Sequence, residues 1–220
     1  KMPLFFQNDI DADTRLAVWK IEEEEPFFTE KVPLHRHITH PHKRLQHLAG
    51  RYLLQALFPD FPIGLIQIAD TRKPFLEDEA YHFSISHCGD YAAVVVSKTK
   101  RVGIDIELVS DKIRRIEHKF VNEGEALLLK EARKVIDVTG QLKEPPRNRQ
   151  LIMLWSCKEA VFKWYGHGNV DFKKHMLVQD LTSNIADAYH VQLLFKKEED
   201  QLLHLQSLFF DAVCMSYVVT

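Results

Sequence analysis

Asp105 and Glu107 sit two residues apart in VGIDIEL, and Glu159 and Lys163 sit four apart in WSCKEAVFK. Val102, Ile104 and Ile106 alternate with Gly103, Asp105 and Glu107, which is the two-residue period of a half-buried strand. That period points both carboxylates the same way, about 7 Å apart at a rise of ~3.3 Å per residue. Two such charges repel unless a cation lies between them. Glu159 and Lys163, at i and i+4, share a helix face beside Trp155 and Phe162. Alone, the first motif reads as a solvent-facing strand face and the second as a surface ion pair worth ~0.3–0.5 kcal/mol. Together, Asp105, Glu107 and Glu159 supply three hard oxygen donors. Such a set suits Mg²⁺, with Mn²⁺ as a substitute, because Mg²⁺ keeps several waters and binds through carboxylates plus substrate phosphates. Lys163 could then hold a phosphate oxygen, so pyrophosphate-type chemistry is expected if the strand and helix meet.

A second set of residues could grip anions. In FSISHCGDY, strand alternation puts Ser84, Ser86 and Cys88 on one face and Ile85 and His87 on the other, which rules out an easy Cys-His nucleophilic pair. Lys73 lies in the turn TRKPFL, and with His87 it could donate to a phosphate. Arg44, His47 and Arg51 fall at i, i+3 and i+7, a basic stripe that is either a solvated helix face or a phosphate clamp. HRHITHPHK lacks the helical His-x-x-x-His order and any nearby Cys or acid pair, so zinc is not expected there.

The elements that must position these groups can be read from periodicity. RLAVWKIE (Arg15–Glu22) alternates like a strand. HKRLQHLAGRYLLQALF (His42–Phe58) reads as an amphipathic helix ended by Pro59, with Leu45, Leu48, Leu53 and Leu57 buried. Strands are expected at GLIQIA, HFSIS, YAAVVVS and VGIDIEL. A helical stretch is expected from Asp111, as N-cap, to about Val135, and GQLKEPPRNR (Gly140–Arg149) should be an exposed loop. LIMLWSCKEAVFKWYG reads as a second long helix ending at Gly166, followed by strands YHVQLLF, LLHLQSLFF and AVCMSYVVT. CGDYAAVVVS and FDAVCMSYVVT form a weak internal repeat, which suggests an α+β fold of two similar lobes joined near residue 100.

Composition bounds the rest. The 220 residues carry 29 Lys+Arg against 31 Asp+Glu, a net charge of −2. No overall basic field advertises nucleic acid or membrane, so any anion site must be local. Apolar runs are too short to span a bilayer, and the first residues show no basic segment followed by an apolar core and a cleavage site. Three scattered cysteines, Cys88, Cys157 and Cys214, argue against a disulfide framework and for a reducing cytoplasm.

VGIDIE, followed about fifty residues later by WSCKEAVFK, resembles the paired signature of the 4′-phosphopantetheinyl transferases. The likeness is closest to the larger, two-lobed, surfactin-synthetase-activating type, which serves nonribosomal peptide synthetases and related carriers. RKPFLEDEAYHFSISHCGDYAAVVVS also looks like that type's Gly-Lys-Pro and Ser-His-Ser region, and the resemblance covers roughly Lys43–Leu181. It implies a pseudo-dimeric α+β fold in which each lobe is a small antiparallel sheet packed with a long helix. Residues 1–100 would form the lobe facing the nucleotide of coenzyme A, and 101–220 the lobe carrying the metal and catalytic motifs.

The implied reaction moves 4′-phosphopantetheine from coenzyme A to a serine of an apo acyl or peptidyl carrier protein, releasing adenosine 3′,5′-bisphosphate. Asp105, Glu107 and Glu159 would hold Mg²⁺, and Glu159 and Lys163 would be catalytic. Arg44, Arg51, Lys73, Ser86, His87, Lys158 and Lys163 would contact coenzyme A. The enzyme is expected to be a monomer, without nucleic-acid or membrane partners. Two residues depart from the pattern: Cys88 stands for the final Ser, and Arg72 for the Gly before Lys-Pro. SDKIRRIEHKF, read as a helix, offers Lys112, Arg115 and Lys119 on one face to an acidic carrier. The competing readings are another Mg²⁺-dependent phosphohydrolase or nuclease, and a non-catalytic protein that binds coenzyme A or a carrier.

Overall fold

The computed structural model describes residues 4–34, 37–131, 135–136, 142–143, 146–185 and 187–220. The chain divides into two compact units, Lys1–Ile106 and Glu107–Thr220. The first unit contains β1 (Leu4–Asp9), β2 (Thr14–Lys20), α1 (Glu25–Thr29), α2 (Pro41–Leu57), β3 (Gln67–Ile68), β4 (Pro74–Phe75), β5 (His82–Cys88) and β6 (Tyr91–Ser97). β7 (Val102–Leu108) carries the chain into the second unit. There follow α3 (Glu117–Phe120), α4 (Glu123–Glu131), β8 (Val135–Ile136), β9 (Leu142–Lys143), α5 (Arg147–Tyr165), β10 (Met176–Ile185), β11 (Ala188–Lys196), β12 (Asp200–Phe210) and β13 (Val213–Val219).

In the first unit an antiparallel sheet runs β1-β2-β6-β5, and α2 packs on β6. Pro41 opens α2, where its missing N–H and fixed φ carry no penalty. Leu48, Leu53, Leu54 and Leu57 are buried with Trp19, Phe28 and Phe61. At Gly50 the helix comes so close to β5 that a Cβ would lie 2.8 Å from Ile85 Cγ2. The basic stripe is not a solvated face: His47 and Arg51 are only 8% and 7% exposed, and Arg44 is half-buried. His42 Nε2 and Gln46 Nε2 both bond the carbonyl of Gly89, at 2.9 and 2.8 Å, which ties α2 to the β5–β6 turn. His42 thus has a structural partner. His35 and Arg36, within the His-rich stretch, lie outside the described residues.

In the second unit β10, β11, β12 and β13 form consecutive antiparallel pairs, with β7 as the fifth strand of their sheet. β11 alternates cleanly between buried and half-exposed residues, as expected of a sheet with one covered face. Val191, Leu193, Phe195, Leu203 and Leu205 face a core shared with Leu154, Val161 and Trp164 of α5. From Gln150 to Tyr165 only Trp155, Glu159, Phe162 and Lys163 are half-exposed; every other residue is buried. Gly166 ends α5 with φ 75°, its N–H on the Phe162 carbonyl, where the lack of a Cβ makes the left-handed turn cheap. Among the described residues, no helix is long and apolar enough to cross a membrane.

Several expectations need correction. The helix from Asp111 to Val135 is a 3-10 turn (Asp111–Ile116) followed by α3 and α4, and Val135 starts a strand. Ser110, not Asp111, is the cap, accepting the Lys112 N–H at 3.3 Å. Asn122 and Glu125 form a reciprocal capping box that starts α4 afresh: Glu125 N to Asn122 Oδ1 is 2.9 Å, and Asn122 N to Glu125 Oε2 is 3.0 Å. GLIQIA is a 3-10 turn leading to the two-residue β3. The Gly140–Arg149 loop falls partly outside the described residues, and its end already belongs to α5. β1, α1 and β10 were not foreseen. β7 is buried on both faces from Val102 to Ile106 rather than half-buried, so its acid face does not begin in solvent.

Candidate active site

β7 is held by side chains of β5. Ser84 Oγ accepts the Ile104 N–H and Ser86 Oγ accepts the Ile106 N–H, both at 3.2 Å. The alternation that put these serines on one face therefore satisfies alternate backbone donors of β7. Ser86 Oγ also donates to Asp105 Oδ1 at 2.9 Å. Asp105 is 3% exposed, a burial that a carboxylate tolerates only with hydrogen bonds or a cation beside it.

In the second unit, Glu107 Oε1 accepts the indole N–H of Trp155 at 3.0 Å. The Trp155 ring is wedged between Phe120 (centroids 5.2 Å) and Phe172 (5.4 Å). Glu159 and Lys163 follow Trp155 at successive turns of the half-exposed stripe on α5, with Cβ atoms of adjacent turns about 5–6 Å apart. The i, i+4 reading of the sequence thus locates them on the half-exposed stripe of a helix that is otherwise buried from Gln150 to Tyr165.

Lys158, expected among the coenzyme A contacts, is spent in the core. It is 0% exposed. Its ammonium donates to Glu125 Oε2 at 2.8 Å and to the carbonyls of Phe120 (2.6 Å) and Phe172 (2.8 Å), and lies 2.7 Å from Glu125 Oε1. Three acceptors match its three protons. Burial pulls its pKa below the lysine range, and Glu125 opposes that pull. Glu125 also accepts the Val178 N–H at 2.9 Å, so one carboxylate joins α4, α5 and β10.

Arg44 turns to Glu25 (Nε–Oε2 2.8 Å) and the Ile38 carbonyl (3.0 Å), fastening α1 to α2. Arg51 Nη1 donates to His47 Nδ1 at 3.0 Å. Lys73 precedes β4; burial, then the neighbouring Arg101 charge, lowers its pKa to about 8. His87 is exposed near the end of β5 and Cys88 half-buried beside it. Arg72 has φ 68°, a left-handed conformation that costs a side-chain-bearing residue about 1–2 kcal/mol. The resemblance has Gly at this position, and the backbone supplies the reason. All three cysteines are free thiols.

The sequence reading missed the partners: Ser86 for Asp105, Trp155 for Glu107 and Glu125 for Lys158. Only the last left a signal, since NEGE has the spacing of a capping box. Among the described residues, no three His, Cys, Asp or Glu side chains form a group that could hold a metal ion. The donor chemistry on β7 nonetheless fits Mg²⁺, which takes one or two carboxylates and fills its remaining positions with water and substrate phosphate.

Residues 101–218 match the family model described as ACPS, 4′-phosphopantetheinyl transferase superfamily. Enterobactin synthase component D of Salmonella austin is 28% identical over 121 residues, 55% of this chain and 47% of that protein. The 4′-phosphopantetheinyl transferase gsp of Aneurinibacillus migulanus is 30% identical over 122 residues, 55% of this chain and 46% of that protein. The chain thus spans about half the length of the curated relatives it matches. The family match covers more than half of the chain and contains both β7 acids and the open stripe of α5, and the chain belongs to the 4′-phosphopantetheinyl transferase superfamily.

Proposed function

We propose that the chain transfers 4′-phosphopantetheine from coenzyme A to a serine hydroxyl of an apo acyl or peptidyl carrier protein. The serine oxygen forms a bond to the phosphorus next to pantetheine, and the bond from that phosphorus to the bridging oxygen breaks. Adenosine 3′,5′-bisphosphate leaves with the electron pair. The observation that carries this reading is the pair of β7 carboxylates, each already bound to a fixed donor, in a chain of this family.

Asp105, Glu107 and Glu159 would hold Mg²⁺. When bound, the cation neutralises charge developing on the pyrophosphate. Glu159, on the open stripe, takes the proton of the incoming serine directly or through water. Lys163 steadies the phosphates one turn further on. Lys73 and His87 meet the nucleotide end, with the 3′-phosphate as their target, and Arg51 supports that side. Exposed Ile68 and Phe75, on the same hairpin as Lys73, offer apolar surface beside it. Arg44 and Lys158 serve the fold.

Lys112, Arg115 and Lys119 are all exposed and remain the proposed contact for an acidic carrier. They come from a 3-10 turn and α3 rather than one helix, and Ile113 is buried in the core. The proposed pseudo-dimeric relation is supported by a shared plan. Each unit packs a long helix on the last strand of a two-residue hairpin, whose first turn residue, Gly89 or Asp211, has positive φ.

The test is incubation with coenzyme A, Mg²⁺ and apo carriers of the fatty-acid, polyketide and peptide-synthetase types, read by intact mass. The expected result is a gain of one phosphopantetheine on at least one carrier. Bisphosphate release without a carrier would favour a phosphohydrolase, and binding without turnover a non-catalytic protein.

A further inference from the structure

We infer that Ser86 and Trp155 are positioning residues for the cation, each fixing one carboxylate of β7 before any ligand arrives. The inference rests on the transferase reading and assigns these two residues a task within it. Ser86 Oγ accepts the Ile106 N–H at 3.2 Å, and Ile106 is the residue between the two acids. With that lone pair occupied, the single hydroxyl proton goes to Asp105 Oδ1 at 2.9 Å. The resemblance placed Ser86 on the nucleotide; the geometry directs its proton to a metal ligand. An indole N–H is donor only, so Trp155 obliges Glu107 Oε1 to act as an acceptor at 3.0 Å. Phe120 and Phe172 clamp the ring, so the direction of that N–H is fixed by aromatic packing. Each donor restricts the rotation of its carboxylate and holds it in one orientation, which is how outer partners raise the affinity of a metal site.

The experiment measures Mn²⁺ binding to the full chain with coenzyme A present, from the paramagnetic resonance signal of free Mn²⁺. Trp155→Phe keeps the ring contacts and removes the N–H, and Ser86→Ala removes the hydroxyl. Each should raise the Mn²⁺ Kd about 10- to 100-fold, while metal-free coenzyme A binding by Trp155→Phe stays within twofold of wild type. A second variant guards against misfolding: Trp155 replaced site-specifically by benzothienylalanine, whose sulfur stands where the N–H was. Wild-type Mn²⁺ affinity in a folded benzothienylalanine protein would overturn the role of Trp155, and the same result in Ser86→Ala that of Ser86. If instead wild type binds no Mn²⁺ that Asp105→Asn abolishes, the transferase reading itself falls, and the inference with it.

Discussion

On α2, Arg44 is tied to Glu25 and Arg51 to His47, all inside the first unit. On α5, Lys158 is sealed among Glu125 and two carbonyls, whereas Glu159, the next residue, is half-exposed. One step along a helix is a rotation of about 100°, enough here to carry the chain from core to open stripe. On α2 the Arg44 charge thus fastens α1, and the Arg51 charge turns back along its own helix. α5 separates two environments between adjacent residues, one sealed in the core and the other on the half-exposed stripe where the proposed chemistry lies. A charged motif thus locates a site only after its members are sorted by what they touch.

The largest expected effect tests the holding side of that contrast. Lys158→Ala leaves Glu125 buried without its cation and should cost about 3–5 kcal/mol in urea unfolding. Arg44→Ala, which breaks a half-exposed pair, should cost no more than about 1 kcal/mol. Equal losses would erase the distinction between the helices.

The working side comes next. Glu159→Gln should lower transfer by about 10²–10³-fold, the scale of one lost electrostatic contact in a transition state, with stability within about 0.5 kcal/mol of wild type. Retained turnover would move the chemistry off the open stripe of α5.

A smaller effect is expected where α2 meets β5. In a helix Gly→Ala ordinarily gains up to about 1 kcal/mol, but at Gly50 the new methyl meets Ile85. Gly50→Ala should therefore lose about 1–3 kcal/mol, and Ile85→Ala in the same chain should recover part of it. A stabilised single variant would show that the two elements can separate freely.

The smallest effect is one of pH. Lys73 titrates at about 8, below the ordinary 10.5, chiefly through burial and then through Arg101. Its positive charge is present below pH 8 and lost above it. If Lys73 grips a phosphate, coenzyme A affinity should fall about tenfold from pH 7 to pH 9, and Lys73→Arg, which stays charged, should flatten that fall. Folding has the opposite trend: the unfolded chain holds the extra proton between about pH 8 and 10.5, so this group's contribution to stability rises with pH across that window. An affinity that does not change with pH in wild type would remove Lys73 from the phosphate site.

Elements with a strong period were legible in the sequence. α2, β5, β6, β11, β12 and β13 follow from their apolar patterns, and WSCKEAVFK announced both α5 and the half-exposed face that Glu159 shares with Lys163. β1 escaped because LFFQND buries neither face fully, and the Asp111–Val135 stretch broke because Ser110 and Asn122 each begin a new turn. The candidate residues were visible by type and spacing, but their partners were not. Ser86 meets Asp105 across 19 positions and Trp155 meets Glu107 across 48, distances over which local pattern carries no information. Lys158 shows the limit most plainly, since nothing in a Lys-Glu dipeptide says which member faces inward.

That inward lysine gives the molecule a built-in reporter. An amine-acylating reagent needs an accessible, unprotonated nitrogen, and Lys158 has every proton committed and no surface exposed. It should stay unlabelled in the native state while half-exposed Lys163 reacts, and acquire label only when the α4–α5 node opens. The ratio of label at these two positions, five residues apart on one helix, would therefore time the opening of the second unit's core against a surface standard on the same peptide.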